Sequence, residues 1–365
     1  MHTKIKSYDI EYNFHMETKR RKFKEILEKV SIPETMLQEE RKALLSPLVE
    51  YVNNITPSRL FRYRPCNEMQ FDAFYNNKIY AVNAQMFNDP YDCLTQYDKN
   101  YLYNSIKHGS SIEAIKQLRD LLNNGGQLPE LWESLYGEER AKMIKDIICN
   151  TTDGDLERQV LAFEVNKKDF FNNIDKILKQ AEDYLRRNTF IACFSETVKS
   201  ITMWSHYADS HKGFVLEYDF KNLNCQCDIC DKKSTCNDRV FYNIYPIIYD
   251  NRRYNATSFV EYYLGLSLGL NAKMNDTMYY TKAALYKSPQ WQYEKEWRLF
   301  LNKNNSIGLS SLNIQIKPIA VYYGNDMSAI NKKIISDIAK EKGIKEYQMY
   351  IDTQSDRYAM KYRRI

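Results

Sequence analysis

The chain has 365 residues, of which 44% are hydrophobic and 14% aromatic, so it is long and apolar enough to bury a sizeable core. Its 30 tyrosines against only 11 glycines disfavour low-complexity disorder, and a formal net charge of +5 permits nucleic-acid binding without indicating it. Because no apolar stretch is long enough to span a bilayer, we expect a cytoplasmic protein without a membrane segment.

The first elements of the chain are predicted to be two helices followed by a strand. Apolar residues recur at helical spacing over residues 17–30 and 34–51, which predicts an N-terminal helical arm within residues 1–56. Residues 60–64 alternate as a strand, on which Arg62 and Arg64 share one face. The sequence leaves open which of these two arginines faces a ligand.

A helix, a second strand and a turn come next. Residues 68–76 predict the helix and residues 79–82 the strand, and the turn is FNDPYD, residues 87–92. Side chains of Asn88, Asp89 and Asp92 commonly bond local amide groups in such a turn. Two carboxylates spaced three apart would also serve a ligand or a metal ion, and both interpretations stay open.

A large helical insertion is predicted at about residues 100–187, where apolar residues fall on one side of each helix. Two apolar strands follow at residues 191–194 and 214–218. The connection between them is a polar, aromatic turn that carries Trp204, His206, Tyr207 and His211. Such a density of polar and stacking groups indicates binding. The alternative is an aromatic corner whose polar tips bond nearby backbone.

Four cysteines occur within twelve residues in the spacing C-x-C-x2-C-x5-C, at Cys225, Cys227, Cys230 and Cys236. Four thiolates within reach of one another form a closed tetrahedral shell for zinc. We therefore predict a small zinc hairpin at about residues 223–239, with redox chemistry and incidental clustering as alternatives. A shell filled by four sulfur atoms has no position for catalytic water, so this zinc would be structural.

A polar pattern recurs late in the chain, at residues 293–300. If these residues form a strand, Glu294, Glu296 and Arg298 project to one face. Charge next to a hydrophobic run requires either solvent or a partner, so the residues form a surface ladder or a paired group in a site.

The last part of the chain predicts a strand, a helix and a strand at residues 316–323, 327–342 and 347–352. The elements together predict an α+β fold. Its central sheet is mixed and largely antiparallel, and it carries the helical arm, the helical insertion and the zinc hairpin. We expect a single domain over residues 57–365. Glycine-rich phosphate-binding loops, the Gly-x-Ser-x-Gly elbow and the His-Glu-x-x-His helix are absent from the sequence, which disfavours phosphoryl transfer and triad hydrolysis.

The chain resembles the bacterial family called domain of unknown function 2971. Residues 203–214 match its pattern Met-Trp-x-His-Tyr-Ala-x-x-His-x-Gly-Phe, and Phe194 and Ser195 match the end of the preceding strand. Three further blocks agree in order: LFRYRP around Tyr63 and Arg64, FNDPYD, and WQYEKEWRL. The family name implies no activity.

The order of the polar residues is similar to that of ADP-ribosyltransferases, in which an early Arg or His, a middle Ser or Tyr and a late Glu bind NAD. This resemblance implies that Arg64 pairs with the pyrophosphate. Ser195 would orient the nicotinamide ribose, and Tyr207 or Trp204 would stack on the nicotinamide. Glu296 would stabilise the charge that develops at the anomeric carbon. Glu294 would orient or deprotonate the acceptor, which could be a protein or a nucleic acid.

The resemblance thus implies two sets of site residues. The catalytic set is Ser195, His206, Tyr207, Glu294 and Glu296. The NAD-binding set is Tyr63, Arg64, Asn88, Asp89, Trp204, His211 and Arg298.

Two other functions remain open at this point. One is a metal-dependent nuclease or phosphoesterase, whose divalent ion would be held by Asp89, Asp92, His206, His211 and Glu296. The other is a non-enzymatic module that senses a nucleotide or nucleic acid. For the transferase and the sensor alike, we expect a role as a toxin or as part of a bacterial defence system.

Overall fold

The computed structural model describes residues 2–102, 104, 112–127, 138–221, 244–267, 273–301, 309–356 and 358–365. The helices in these ranges are α1 (His2–Lys29), α2 (Gln38–Ile55), α3 (Glu68–Tyr75), α4 (Ile112–Asn123), α5 (Glu138–Asn150), α6 (Asp153–Asn188), α7 (Ile201–Tyr207), α8 (Thr257–Ser267), α9 (Tyr279–Ala283) and α10 (Ala329–Lys342). The strands are β1 (Leu60–Arg64), β2 (Lys78–Asn83), β3 (Phe190–Ser195), β4 (Phe214–Tyr218), β5 (Ile244–Pro246), β6 (Ile248–Tyr249), β7 (Tyr286–Lys287), β8 (Glu296–Leu301), β9 (Ser311–Gln315), β10 (Ala320–Tyr323), β11 (Lys345–Ile351) and β12 (Met360–Arg364).

Ten of the described strands form one sheet. Its main order is β12-β11-β10-β4-β1-β3-β2-β9, with β8 pairing β3 and β5. Within it only β10 and β11 pair in parallel, and the other pairs are antiparallel. The predicted α+β class with a mixed, largely antiparallel sheet is therefore confirmed. The predicted zinc hairpin falls on residues outside the described ranges.

The sheet divides at β3. One edge of β3 pairs with β8 along its whole length. The other edge is shared by β1 and β2. The described pairing with β1 is that of Phe61 with Ser195, and the described pairings with β2 are those of residue 82 with 191 and of residue 83 with 190. Among the described strands, none pairs with residues 192–194 on that edge. The division between β1 and β2 leaves room for a cleft.

One strand that borders this division, β1, is approached closely by the backbone at Gly213, just before β4. A Cβ atom added there would lie 2.1 Å from the carbonyl oxygen of Arg64 and 2.9 Å from the backbone of Ala208. Such distances exclude any side chain. The glycine that precedes β4 therefore allows the start of β4 to lie against the end of β1, where Arg64 pairs with Phe214.

The two N-terminal helices pack into the main core. Phe23 and Leu27 of α1 and Leu48 and Val52 of α2 are buried in the same cluster as the inner residues of the sheet. Their burial follows the helical spacing that predicted these helices. In the insertion, α6 contributes buried apolar residues to the same cluster. No helix within the described ranges has both the length and the apolar character needed to cross a membrane.

Three local predictions are wrong. The strand predicted at residues 316–323 begins only at Ala320, where β10 starts. The connection before β4 contains the helix α7 rather than only a turn, because the Ser200 side chain caps it by accepting from the Met203 amide. The strand predicted at residues 293–300 begins only at Glu296. Pro289 starts a 3-10 helix that runs to Glu294, and Lys295 then adopts a left-handed φ of 46°.

Candidate functional site

A cleft with a volume of about 420 Å³ opens at the unpaired edge of β3. This volume lies within the range of about 300–1,000 Å³ that is typical of small-molecule sites. Nine residues predicted for the transferase site line it: Tyr63, Arg64, Asn88, Ser195, His206, Tyr207, Glu294, Glu296 and Arg298. Asp92, proposed as a metal ligand, lines it as well. The fold therefore brings residues from the early, central and late parts of the chain to one place.

Buried charges of both signs form a continuous network along the cleft. Lys287 Nζ lies 2.6 Å from Glu294 Oε2 and 3.0 Å from Glu296 Oε2. Arg298 donates from Nε to Glu296 Oε1 at 2.8 Å and binds both carboxylate oxygens of Asp92. Three carboxylates against two cations leave one formal negative charge. Because Glu294, Glu296 and Arg298 are 3%, 3% and 0% exposed, the surface-ladder alternative is wrong.

The two glutamates differ in how readily they ionise. Burial raises the pKa of Glu294 and the charge of Glu296 adds to the rise, although Lys287 and Tyr207 oppose it. Burial also favours the neutral form of Glu296, but Arg298 and Lys287 outweigh it and hold the pKa of Glu296 well below its ordinary value. Glu296 is thus a fixed anion whose oxygens are already bound, and Glu294 is the carboxyl better suited to exchange a proton.

Tyr207 links the short helix α7 to this network. Its hydroxyl donates to Glu294 Oε1 at 2.6 Å and accepts from Asn88 Nδ2 at 3.1 Å. Burial and the neighbouring Glu294 raise the pKa of Tyr207 well above its ordinary value, so the phenol stays protonated. The exposed His206 lies beside it, with Nδ1 3.2 Å from the Tyr293 hydroxyl. Tyr207 does not bond nearby backbone, as the aromatic-corner alternative required, but orients a carboxylate.

Ser195, at the end of β3, has both hydrogen-bonding functions engaged. Its hydroxyl donates to the backbone carbonyl of Glu294 at 2.6 Å and accepts from the Thr197 amide at 3.3 Å. Because its one proton is used within the protein, Ser195 positions the Glu294 segment. The resemblance to ADP-ribosyltransferases implied a direct contact with the ribose instead.

Two arginines of β1 line the cleft without an ion-pair partner among the described carboxylates. Arg62 is 8% exposed, and its Nε and Nη1 atoms have no hydrogen-bond partner among the described residues. Burial lowers the pKa of Arg62. Among the described groups, Arg64 donates only to the carbonyl of Tyr63, at 3.1 Å. Both side chains line the cleft, which answers the question of which one faces it.

A comparison with known protein families matches the part of the chain that supplies most of the buried charge network. Residues 203–299 match the model of the family described as a protein of unknown function (DUF2971). The resemblance found from the sequence motifs is confirmed over this region, which contains most of α7, Lys287 and both glutamates. No curated protein and no solved structure matches the chain.

Three residues predicted for the site do not line the cleft. In the DUF2971 region, Trp204 is fully buried and donates from Nε1 to the Val198 carbonyl at 2.7 Å. His211 stacks on the Trp204 ring with centroids 6.5 Å apart. The aromatic-corner interpretation therefore describes Trp204 correctly, because its polar tip bonds nearby backbone. Asp89 accepts from the Tyr91 amide at 2.9 Å and stabilises its own turn.

Three of the five residues proposed for a divalent metal, Asp92, His206 and Glu296, line the cleft, but they do not form a metal-binding group. Within the described ranges there is no group of three or more His, Cys, Asp or Glu side chains that could hold a metal ion. The physical reason is that Arg298 binds the carboxylates of both Asp92 and Glu296. The zinc cysteines predicted at residues 225–236 lie outside the described residues.

Sequence reasoning missed Lys287 and Arg20, which support the two glutamates. Lys287 belongs to the two-residue strand β7, which pairs with β6. Arg20 of α1 donates to the backbone carbonyls of Ile247 and Glu296 at 2.6 and 3.0 Å. The available signal was indirect: a Glu-x-Glu pair beside a hydrophobic run, once buried, requires a nearby cation.

Proposed function

We propose that this chain is an enzyme that transfers ADP-ribose from NAD to a nucleophilic acceptor. The observation that carries the proposal is the combination, in one cleft, of two guanidinium groups without a described carboxylate partner and a buried carboxyl with a raised pKa. NAD presents matching chemistry, because its pyrophosphate is anionic and its reactive bond joins a ribose carbon to nicotinamide.

The arginines of β1 are suited to the anionic part of this substrate. Arg64 keeps most of its donors free of described protein partners, and a guanidinium can bind two phosphate oxygens at once. Arg62 lies on the same face of the strand. The pyrophosphate keeps its charge throughout the reaction, so these residues contribute to binding in the ground state and in the transition state alike.

Glu294 is suited to the proton transfer. In the reaction the bond from the ribose anomeric carbon to the nicotinamide nitrogen breaks, and its electron pair neutralises the positively charged ring. The acceptor forms a new bond to the anomeric carbon and gives its proton to Glu294. A raised pKa makes the ionised Glu294 a stronger base, and Tyr207 and Lys287 orient it.

Glu296 has a different role here from the one that the resemblance implied. Its charge is balanced by Arg298 and Lys287, with contacts of 2.8 and 3.0 Å. We therefore assign to it the positioning of Lys287, which in turn holds Glu294. Instead of Glu296 alone, the whole buried network, with its one formal negative charge, would stabilise the positive charge that develops at the anomeric carbon.

The test is release of nicotinamide from NAD by the full chain, with water or an added nucleophile as the acceptor. We expect Glu294→Gln to keep NAD binding and lower turnover by about 10²-fold to 10⁴-fold, since it removes the base but keeps a group that can bond Tyr207. Arg64→Ala should mainly weaken NAD binding. The control is Glu39→Gln, an exposed glutamate with only a surface partner.

A chain that binds no NAD contradicts the proposal. Binding without turnover by any acceptor would favour the sensing module, and cleavage of nucleic acid that a chelator abolishes would favour the metal-dependent enzyme.

A further inference from the structure

A second, smaller pocket lies behind the arginines of β1, under α3. Its volume is about 150 Å³. Among the described residues, three cationic side chains line it, Arg62, Arg64 and Lys78, and no carboxylate does. Because Arg62 and Arg64 also line the main cleft, these two side chains form a shared wall between the two spaces.

The alternation of side chains along the strands explains why three cations meet here. Arg62 and Arg64 are two positions apart on β1, and Lys78, Tyr80 and Val82 are spaced in the same way on β2, so each set shares a face. The helix α3 connects the two strands, and its residues Gln70, Ala73 and Phe74 cover that face. The pocket is thus a product of the β1-α3-β2 connection.

Arg62 is the most constrained of the three cations. Its Nη2 atom donates to the Tyr80 carbonyl, and its guanidinium lies 5.4 Å from the centroid of the Phe194 ring. Its side chain bridges β1 and β2 where the sheet divides. Its Nε and Nη1 atoms have no described partner although the residue is 8% exposed. A buried cation with two unmet donors is unfavourable unless an anion accepts from it.

Lys78 has a partner, but a weak one. Its Nζ atom lies 3.3 Å from Asp72 Oδ2, and the two side chains are 30% and 50% exposed. Exposed ion pairs of this kind stabilise a protein little, so Lys78 is free to turn toward an anion in the pocket. Asp72 is not among the residues that line the pocket.

We propose that this pocket binds a phosphate monoester through Arg62, Arg64 and Lys78. Such a group has three acceptor oxygens and a charge of about −1.5 to −2 at neutral pH, which suits two guanidinium groups and one ammonium. The pocket is too small for a nucleoside and opens beside the main cleft. A dinucleotide that carries an additional ribose phosphate, such as NADP, would place that group here. The choice of NADP as the molecule that carries the phosphate rests on the proposed function, whereas the binding of a phosphate group in this pocket does not.

Calorimetric titration of the full chain with NADP, NAD, 5′-AMP and inorganic phosphate tests the proposal. We expect NADP to bind more tightly than NAD. Lys78→Gln should weaken binding of NADP and of inorganic phosphate about tenfold and leave NAD binding and turnover unchanged, because it removes one charge-assisted contact. The matched control is Lys361→Gln, which breaks a comparable exposed pair with Asp352 at the far end of the sheet.

The results distinguish the source of the phosphate and separate this proposal from the proposed function. Equal, Lys78-dependent binding of 5′-AMP and NADP supports the pocket and identifies a mononucleotide as the bearer. Lys78-dependent phosphate binding without nicotinamide release also supports the pocket, although the proposed function then fails. Nicotinamide release with equal affinity for NAD and NADP, or an equal loss for both in Lys78→Gln, overturns the pocket. Arg62→Lys, with its fold checked by circular dichroism, should weaken binding of NADP and of inorganic phosphate and, because Arg62 also lines the main cleft, should weaken binding of NAD as well.

Discussion

Arg298 and Asp92 form a two-point ion pair inside the protein, with Nη1–Oδ1 and Nη2–Oδ2 distances of 2.7 and 2.5 Å. Their side chains are 0% and 1% exposed. Removal of one partner from such a pair leaves a buried charge uncompensated. We expect Asp92→Asn to lower the free energy of unfolding by about 3–5 kcal/mol. Urea unfolding measures the change, and Asp352→Asn, which breaks the more exposed pair with Lys361, should lower the free energy of unfolding much less. An equal loss in the free energy of unfolding for the two variants would show that the buried pair stabilises the protein no more than the exposed one.

Glu296 should contribute to the loss of stability in acid. Burial favours its neutral form, but Arg298 and Lys287 outweigh burial and depress its pKa in the folded state. Its contribution is therefore complete above the ordinary glutamate value of about 4.3 and is lost as the pH falls through the depressed pKa. We expect the free energy of unfolding of Glu296→Gln to fall less steeply below about pH 4.3 than that of the unchanged chain. Parallel curves for the two chains would contradict this assignment.

Glu294 should set the acidic limb of the pH–rate profile. Burial and the charge of Glu296 raise its pKa, and it acts as a base only when ionised. We expect kcat/KM for nicotinamide release to rise with pH around an apparent pKa above the ordinary glutamate value. Tyr207→Phe removes a hydrogen bond to the ionised carboxylate, so it should move this limb to still higher pH. A profile that is the same in Glu294→Gln would exclude Glu294 as the base.

The four clustered cysteines lead to a separate prediction. Purified protein should contain about one zinc per chain, bound by Cys225, Cys227, Cys230 and Cys236. Metal analysis by mass spectrometry checks the stoichiometry. The double variant Cys227→Ser plus Cys230→Ser should lose the metal, while Cys66→Ser, at a cysteine far from the cluster in sequence, should keep it. Zinc that survives the double variant would refute the assignment.

The strands of the site could be predicted from sequence because their patterns are local. Residues 60–64 and 214–218 form β1 and β4 with the predicted bounds, since alternation and flanking Pro65 and Gly213 mark their ends. Asp92 was recognised as a turn residue, but its pairing with Arg298 across 206 positions has no local signal. Pairing at that distance depends on the sheet order.

The position of Glu294 shows a second limit of sequence reasoning. An alternating pattern places Glu294 and Glu296 on one face of a strand, and both carboxylates do contact Lys287. The backbone that achieves this is a 3-10 helix followed by the left-handed Lys295. The pattern correctly predicted that Glu294 and Glu296 lie on the same side. It predicted the backbone conformation wrongly, because Pro289 favours the start of a helical turn over a strand.

The contacts of Arg20 affect when during synthesis the charge network of the cleft can form. This residue pairs with Glu196 and donates to the carbonyls of Ile247 and Glu296, which follow it by 227 and 276 positions. A ribosome delivers the N-terminus first, so α1 must wait for almost the whole chain before it reaches these partners. An incomplete chain can already hold the arginines of β1 but lacks Lys287, Glu294 and Glu296. Under the proposed function, nascent protein would therefore acquire the arginines that bind an anion before it acquires the residues that act on it.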